Sequence, residues 1–182
     1  PFYFTKSPAN AVLSGAEMAY PPGTGNFHYE MELVMAIGAE VFRADKAAAE
    51  AAIYAYGCGL DMTRRDLQIL SRNKKRPWML GKDVEGSCVL APLTRAEDFG
   101  PIGRQRIHLE LNGEQRQDST LDLLIHKVPE MIAHLSRFYR LGAGDIILTG
   151  TPEGVGPVQP GDRLTGGIDG LAPIALDIGP EE

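Results

Sequence analysis

The sequence predicts one domain of a mainly β, α+β fold, and three observations support this prediction. The 182 residues include 21 glycines and 13 prolines, a density of turn formers that favours many short strands over a helical bundle. Segments with strand-like alternation outnumber helical ones and do not alternate strictly with them, which disfavours a doubly wound βαβ sheet. The length, without an internal repeat or linker, suits a single catalytic domain over residues 1–182.

The first half of the chain contains short strands and two short helices. Residues 2–6 and 28–37 are strand-like, and the intervening residues 20–26 form a strong loop signal. Asp45 is a suitable N-cap for a helix over residues 46–52, which are rich in strong helix formers.

Glycines are expected to separate the two helices. Gly57 and Gly59 would end the first helix, and a second helix is expected over residues 63–73. Thr63 would cap this helix, with Asp66 in its first turn.

The second half predicts a hairpin, a helix and a buried strand. Asn112-Gly113 separates two strand-like runs and is typical of a two-residue hairpin turn. Residues 129–139 predict a helix with Pro129 in its first turn, and residues 145–148 predict a short buried strand.

Composition excludes several classes of protein. The net charge of −6 argues against nucleic-acid binding, and no apolar run is long enough for a bilayer or resembles a signal peptide. Two cysteines without CxxC spacing, Cys58 and Cys88, favour a reducing compartment, so we expect a cytoplasmic protein without a membrane partner. Because the chain opens at Pro1 directly in strand-like residues, we expect upstream sequence to be missing.

The most informative local feature is the pair Glu30 and Glu32. Alternate residues of a strand share a face, so both carboxylates would lie on one side and Met31 on the other. In apolar surroundings two like charges raise each other's pKa unless a cation neutralises them. Spacing alone leaves two interpretations open, a divalent metal site and a pair of solvated glutamates on an edge strand.

Asp61 offers a third carboxylate, although it could equally cap a helix. Three carboxylates without His or Cys form a hard oxygen site, which suits Mg²⁺, Mn²⁺ or Ca²⁺ better than Zn²⁺. Lys82 follows an apolar run and a glycine, and it could bind a substrate carboxylate or stabilise an enolate. On its own, a surface lysine paired with Asp83 is the commoner arrangement.

The amino-acid sequences of these segments, and their order along the chain, closely resemble the motifs of one family. The similar segments are NFHYEMELV at 26–34, GLDMTRRDLQ at 59–68, PWMLGK at 77–82, LGAGDIILTGTP at 141–152 and PGD at 160–162. The chain is therefore identified as a member of the fumarylacetoacetate hydrolase family. Within the family its motifs are most similar to the fumarylpyruvate and acylpyruvate hydrolases.

The resemblance implies a mixed β-sandwich roll with a few flanking helices, usually in a homodimer. It implies that Mg²⁺ or Mn²⁺ binds the carboxylates already named and that a small 2-oxo acid is the substrate. Lys82 would be catalytic and would line the substrate site together with Arg65, Gln68 and Thr151. It further implies a His and a Glu upstream of residues 2–6 that activate the attacking water.

The implied reaction is metal-dependent hydrolysis of a carbon–carbon bond in a 2,4-dioxo acid, such as fumarylpyruvate or another acylpyruvate, with release of pyruvate. Three alternatives stay open: oxaloacetate decarboxylase or keto–enol tautomerase, an isomerase of aromatic ring-cleavage products, and a degenerate member that only binds metal or a partner.

Overall fold

The computed structural model describes residues 1–181, which contain fourteen strands and five α-helices. Among these residues no helix is both long and apolar enough to cross a membrane. The strands are β1 (Ala11–Leu13), β2 (Glu17–Tyr20), β3 (Phe27–Tyr29), β4 (Met31–Ile37), β5 (Ile53–Asp61), β6 (Thr63–Arg64), β7 (Cys88–Leu90), β8 (Thr94–Arg95), β9 (Arg106–Leu111), β10 (Glu114–Thr120), β11 (Ile146–Leu148), β12 (Gly156–Pro157), β13 (Arg163–Ile168) and β14 (Ile174–Glu181). The helices are α1 (Lys46–Ala51), α2 (Arg65–Asn73), α3 (Met79–Lys82), α4 (Ala96–Phe99) and α5 (Val128–Leu135).

The strands form two large mixed sheets and one small antiparallel sheet. A six-stranded sheet has the order β1-β7-β5-β4-β11, with β8 pairing the outer part of β5. A five-stranded sheet has the order β10-β9-β13-β14-β2, and a small third sheet has the order β12-β3-β6. The pairs β1–β7 and β14–β2 are parallel, whereas the central pairs β4–β5 and β9–β13 are antiparallel.

The main core lies between the two large sheets. Met31, Leu33 and Met35 of β4 are buried in the same apolar cluster as Leu109 of β9 and Leu164 of β13. Because side chains alternate along β4, these residues leave its opposite face free for other groups. That opposite face carries Glu32.

Several predicted elements are confirmed. Asp45 caps α1 by accepting a hydrogen bond of 2.8 Å from the Ala48 N–H. Asn112 and Gly113 both have positive φ and join β9 to β10 in an antiparallel hairpin. The strand expected over residues 28–37 is present as β3 and β4, which are separated at Glu30.

Two predictions about strands and glycines are wrong. No strand covers residues 2–6, because side chains hold this segment: Phe2 packs edge-on against Trp78 with ring centroids 4.9 Å apart. Gly57 and Gly59 do not end a helix but lie within β5. A Cβ at Gly59 would lie 2.5 Å from Val34 Cγ2, so glycine permits close packing here rather than chain reversal.

Helix ends also differ from expectation. Thr63 belongs to β6 and makes no cap, since α2 begins at Arg65, although Asp66 does lie in its first turn. Helix α5 ends at Leu135 rather than at residue 139. The strand expected over 145–148 is β11, but Ile146 is 36% exposed because β11 forms the edge of its sheet.

Candidate metal centre

Glu30 and Glu32 lie on the face of β4 that points away from the core. Their exposures are 7% and 4%, so the interpretation of solvated glutamates on an edge strand is wrong. The backbone at this point is fixed by a buried amide, since the Met31 N–H donates to Gln117 Oε1 at 3.0 Å. Both carboxylates are therefore held out of water on one side of the strand.

The antiparallel ladder brings Asp61 to the same place. Leu60 pairs with Met31, so Asp61 lies opposite Glu30, and the Asp61 N–H donates to the Glu30 carbonyl at 2.9 Å. Gly59 lies opposite Glu32. A side chain at Gly59 would share the face of Glu32, where its Cβ would lie 2.5 Å from Val34 Cγ2, so glycine permits this close packing of the strands. Asp61 is 2% exposed and ends β5, and it caps no helix.

The three carboxylates converge closely enough to bind one cation. Glu30, Glu32 and Asp61 each offer an oxygen, and these oxygens lie within 4.8 Å of one another. Burial, and then the neighbouring Asp61 and Glu30 carboxylates, together raise the pKa of Glu32 to about 8. Asp61 Oδ1 is buried without a hydrogen bond. An oxygen-only donor set with an unsatisfied ligand atom fits Mg²⁺ or Mn²⁺.

Lys82 is a buried member of this cluster. Its side chain is 2% exposed, and Nζ donates hydrogen bonds of 2.7 Å to Glu30 Oε2, Asp61 Oδ2 and Thr63 Oγ1. The alternative of a surface lysine paired with Asp83 is therefore wrong. Asp83 instead accepts hydrogen bonds from the N-terminal segment. Helix α3 positions Lys82, and this helix can approach the backbone of Gln68 because Gly81 has no side chain.

Arg65 and Gln68 approach the cluster from the first turn of α2. Arg65 donates through Nη2 to Glu30 Oε1 and through Nη1 to Gln68 Oε1, both at 2.5 Å. The pKa of His28 is lowered to about 4, mainly by burial and to a smaller extent by the Arg65 charge. This imidazole is therefore neutral at pH 7. Arg65 and Gln68 thus form one hydrogen-bonded unit against the carboxylates.

The glycine-rich loop after β11 closes another side of the cluster. The Gly150 N–H donates to Glu32 Oε2 at 2.6 Å, with φ of +96° at this glycine. Thr151 follows directly, and its Oγ1 accepts a hydrogen bond of 2.8 Å from Gln117 Nε2. All seven residues selected from the sequence therefore lie in or beside one cluster.

Sequence reasoning missed two buried polar residues here. Lys6 lies 2.9 Å from Asp61 Oδ1, and its only sequence signal is that it follows an aromatic run, much as Lys82 follows an apolar one. Gln117 is fully buried and links Met31 to Thr151. It lies at a register shift in the otherwise polar strand β10, where no pattern distinguishes it.

Comparison with known proteins matches this fold and sequence to one family. The family described as "Fumarylacetoacetate (FAA) hydrolase C-terminal" matches residues 1–178. The chain belongs to the fumarylacetoacetate hydrolase family. Its membership confirms the resemblance seen in the motifs and the mixed β fold that the resemblance implied.

Individual members of the fumarylacetoacetate hydrolase family are also similar over most of the chain. A fumarylpyruvate hydrolase of Ralstonia sp is 52% identical over 181 residues, covering 100% of this chain and 94% of that protein. An oxaloacetate tautomerase of Escherichia coli (strain K12) is 42% identical over 154 residues, covering 84% of this chain and 70% of that protein. The crystal structure of a fumarylpyruvate hydrolase from Pseudomonas aeruginosa in complex with Mn²⁺ and pyruvate superposes with a TM-score of 0.96 at 44% identity, covering 100% of this chain and 79% of that one.

Proposed function

We propose that this chain hydrolyses fumarylpyruvate to fumarate and pyruvate with Mg²⁺ or Mn²⁺. The observation that carries the proposal is the 52% identity, over the whole chain, to a fumarylpyruvate hydrolase. The buried carboxylates with Lys82 among them support it, because they suit a divalent cation and an anionic 2-oxo acid together. The related structure that contains Mn²⁺ and pyruvate supports the same chemistry.

The residues of the cluster divide into two proposed roles. Glu30, Glu32 and Asp61 would hold the metal, which supplies Lewis acidity towards the 2-oxo acid when bound. Arg65 and Gln68 would orient the substrate, because the guanidinium can meet a carboxylate with two parallel hydrogen bonds. Thr151 would contribute its hydroxyl from the opposite side.

Lys82 is proposed as the catalytic residue of the chain. Water adds to the C4 carbonyl, the C3–C4 bond breaks, and pyruvate leaves as its enolate, which then takes a proton at C3. The Lys82 ammonium is preorganised in a site from which water is largely excluded, with three acceptors at 2.7 Å. From there it stabilises the negative charge that develops on the enolate oxygen.

Oxaloacetate is the second candidate substrate. The 42% identity to an oxaloacetate tautomerase supports it. Oxaloacetate carries the same carboxylate and 2-oxo group, and either loss of CO₂ or keto–enol conversion passes through an enolate. The same Lys82 ammonium would stabilise that enolate.

The test is an end-point assay of the purified protein with fumarylpyruvate, in Mg²⁺ and in chelator. We expect pyruvate and fumarate in equal amounts with metal and neither product with chelator. A parallel assay follows the keto–enol ratio and CO₂ release from oxaloacetate. Oxaloacetate turnover without any cleavage of fumarylpyruvate would replace the first proposal with the second.

We also propose a cytoplasmic homodimer. Exposed apolar side chains, including Phe42, Phe138 and Ile146, support association between copies of the chain. Cys58 and Cys88 are both free and buried, which supports a reducing compartment.

A further inference from the structure

Lys6 is a buried cation that the proposed chemistry does not use. Its side chain is 7% exposed, and its ammonium lies 2.9 Å from Asp61 Oδ1. It comes from the segment before β1, far in sequence from the rest of the centre. A lysine held this far from water needs a compensating environment.

The ammonium is enclosed by protein acceptors. Lys6 Nζ donates to Ser87 Oγ at 2.9 Å, to the Met62 carbonyl at 3.1 Å and to the Lys82 carbonyl. An ammonium has three protons, and these three acceptors account for all of them. Two of these acceptors are backbone carbonyls, so Lys6 is held by the chain itself, whereas Lys82 donates to the proposed metal ligands Glu30 and Asp61.

The contact with Asp61 has a different character. Asp61 Oδ1 faces the Lys6 ammonium at 2.9 Å, although the contact does not have hydrogen-bond geometry. Asp61 Oδ2 accepts a hydrogen bond from Lys82. The attraction between Lys6 and Asp61 is therefore ionic, and it restrains the orientation of the carboxylate.

The acceptors of Lys6 belong to the segments that position the centre. Met62 follows Asp61 directly at the end of β5, and Lys82 ends α3. One ammonium thus joins the backbone beside a proposed metal ligand to the backbone of the proposed catalytic lysine. Without it, the Met62 and Lys82 carbonyls would each lose a donor, and the Asp61 carboxylate would lose a neighbouring positive charge.

We infer that Lys6 is a positioning residue that orients Asp61 and Lys82 for metal binding. This inference rests on the proposed metal centre. Lys6 acts through Asp61, whose carboxylate rotamer it fixes, and through the backbone of Lys82. Residues behind metal ligands commonly change metal affinity about 10- to 100-fold when they are removed.

The Lys6 backbone has an independent anchor, so its side chain can be changed separately. The Ser7 N–H and Asn10 Nδ2 both donate to Asp83 Oδ1, at 2.8 and 2.7 Å. A Lys6→Met variant would keep these bonds and a similar side-chain volume while losing the charge. Lys46→Met is the matched control, because Lys46 is 68% exposed and pairs only with Glu130 at the surface.

The experiment measures Mn²⁺ binding to metal-free protein by electron paramagnetic resonance, with circular dichroism to check folding. For Lys6→Met we expect the Mn²⁺ Kd to rise about 10-fold or more, with an altered Mn²⁺ spectrum and a native dichroism spectrum. Lys46→Met should bind as the unaltered protein does. If Lys6→Met does not fold, Lys6→Gln takes its place, because its amide retains donors for Ser87 and Met62. We expect the same rise in the Mn²⁺ Kd for this variant.

Two results distinguish failure of the proposed role of Lys6 from failure of the proposed metal centre. An unaltered Kd and spectrum in a folded Lys6 variant would overturn the positioning role while leaving the metal centre in place. Absence of Mn²⁺ binding in the unaltered protein would instead remove the metal centre, and with it the proposed function.

Discussion

Glu32 has the least compensated charge among the three carboxylates. Glu30 forms ion pairs with Arg65 and Lys82, whereas Glu32 accepts a hydrogen bond of 2.6 Å from the neutral Gly150 N–H. Burial and the two neighbouring carboxylates together raise its pKa to about 8. The protein thus holds Glu32 in an environment that favours either a proton or a cation on it.

Glu32→Gln should separate function from stability. The amide keeps an acceptor for the Gly150 N–H but loses the charge, so we expect metal-dependent turnover to fall at least about 100-fold. Metal-free Glu32→Gln should melt at a higher temperature than the unaltered protein at pH 7. Because the pKa of Glu32 is raised to about 8, the unaltered protein must take up a proton there on folding, and the neutral amide avoids this cost. The control is Glu50→Gln at an exposed position of α1. Full Mg²⁺-dependent turnover of Glu32→Gln would contradict the assignment of this ligand.

At the residue scale, local periodicity predicts which face of a strand a side chain occupies. Alternation in a strand placed Glu30 and Glu32 on one face, and the structure has them there. Lys6 and Gln117 could not be found this way, since each acquires its role from partners 34 or more positions away. Their burial is a tertiary property that no nearby residue encodes.

At the scale of elements, the close approach of β4 and β5 shapes the centre. Gly59 lies opposite Glu32, and the side chain of Val34 fills the space that a Cβ at Gly59 would need. A methyl group at this point has no room unless the strands move apart. The spacing of the strands that carry Glu32 and Asp61 therefore depends on the absence of a side chain at Gly59.

Gly59→Ala should destabilise the fold by about 1 to 3 kcal/mol, as overpacking in a core generally does. The new Cβ would lie 2.5 Å from Val34 Cγ2, so adding Val34→Ala should restore part of the loss. Urea unfolding of the single and double variants measures both effects. Gly25→Ala is the control, because its added Cβ would meet no atom within 4 Å. Equal stabilities for Gly59→Ala and Gly25→Ala would contradict this account of the strand pair.

Elements with local signals were predictable, and elements defined by distant packing were not. The Asp45 cap and the Asn112-Gly113 turn are set by bonds and dihedrals within a few residues. Gly57 and Gly59 were misassigned because glycine serves both chain reversal and close packing, and only the neighbouring strand distinguishes the two. Residues 2–6 have strand propensity, but their side chains dock on Trp78 and on the centre instead of joining a sheet.

At the scale of the whole molecule, the proposed homodimer is tested by light scattering after size-exclusion chromatography. We expect twice the 19.7 kDa mass of one chain, because burial of the exposed apolar side chains favours association. A second run at tenfold lower protein concentration serves as the control for weak association. A mass of one chain at both concentrations would contradict the proposal.

The centre is built from parts that are widely separated along the chain. The bond between Gly150 and Glu32 spans 118 positions, and the contact of Lys6 with the Lys82 carbonyl spans 76. Such pairings form late, since the entropy of closing long loops is lost before their contacts contribute. The β4–β5 pair alone brings the three carboxylates together, but Gly150 and Lys6 would enclose them for a cation only when the chain is nearly native. Metal would therefore leave the folding rate almost unchanged and act mainly by slowing unfolding. The metal-bound protein would stay folded for longer without folding faster.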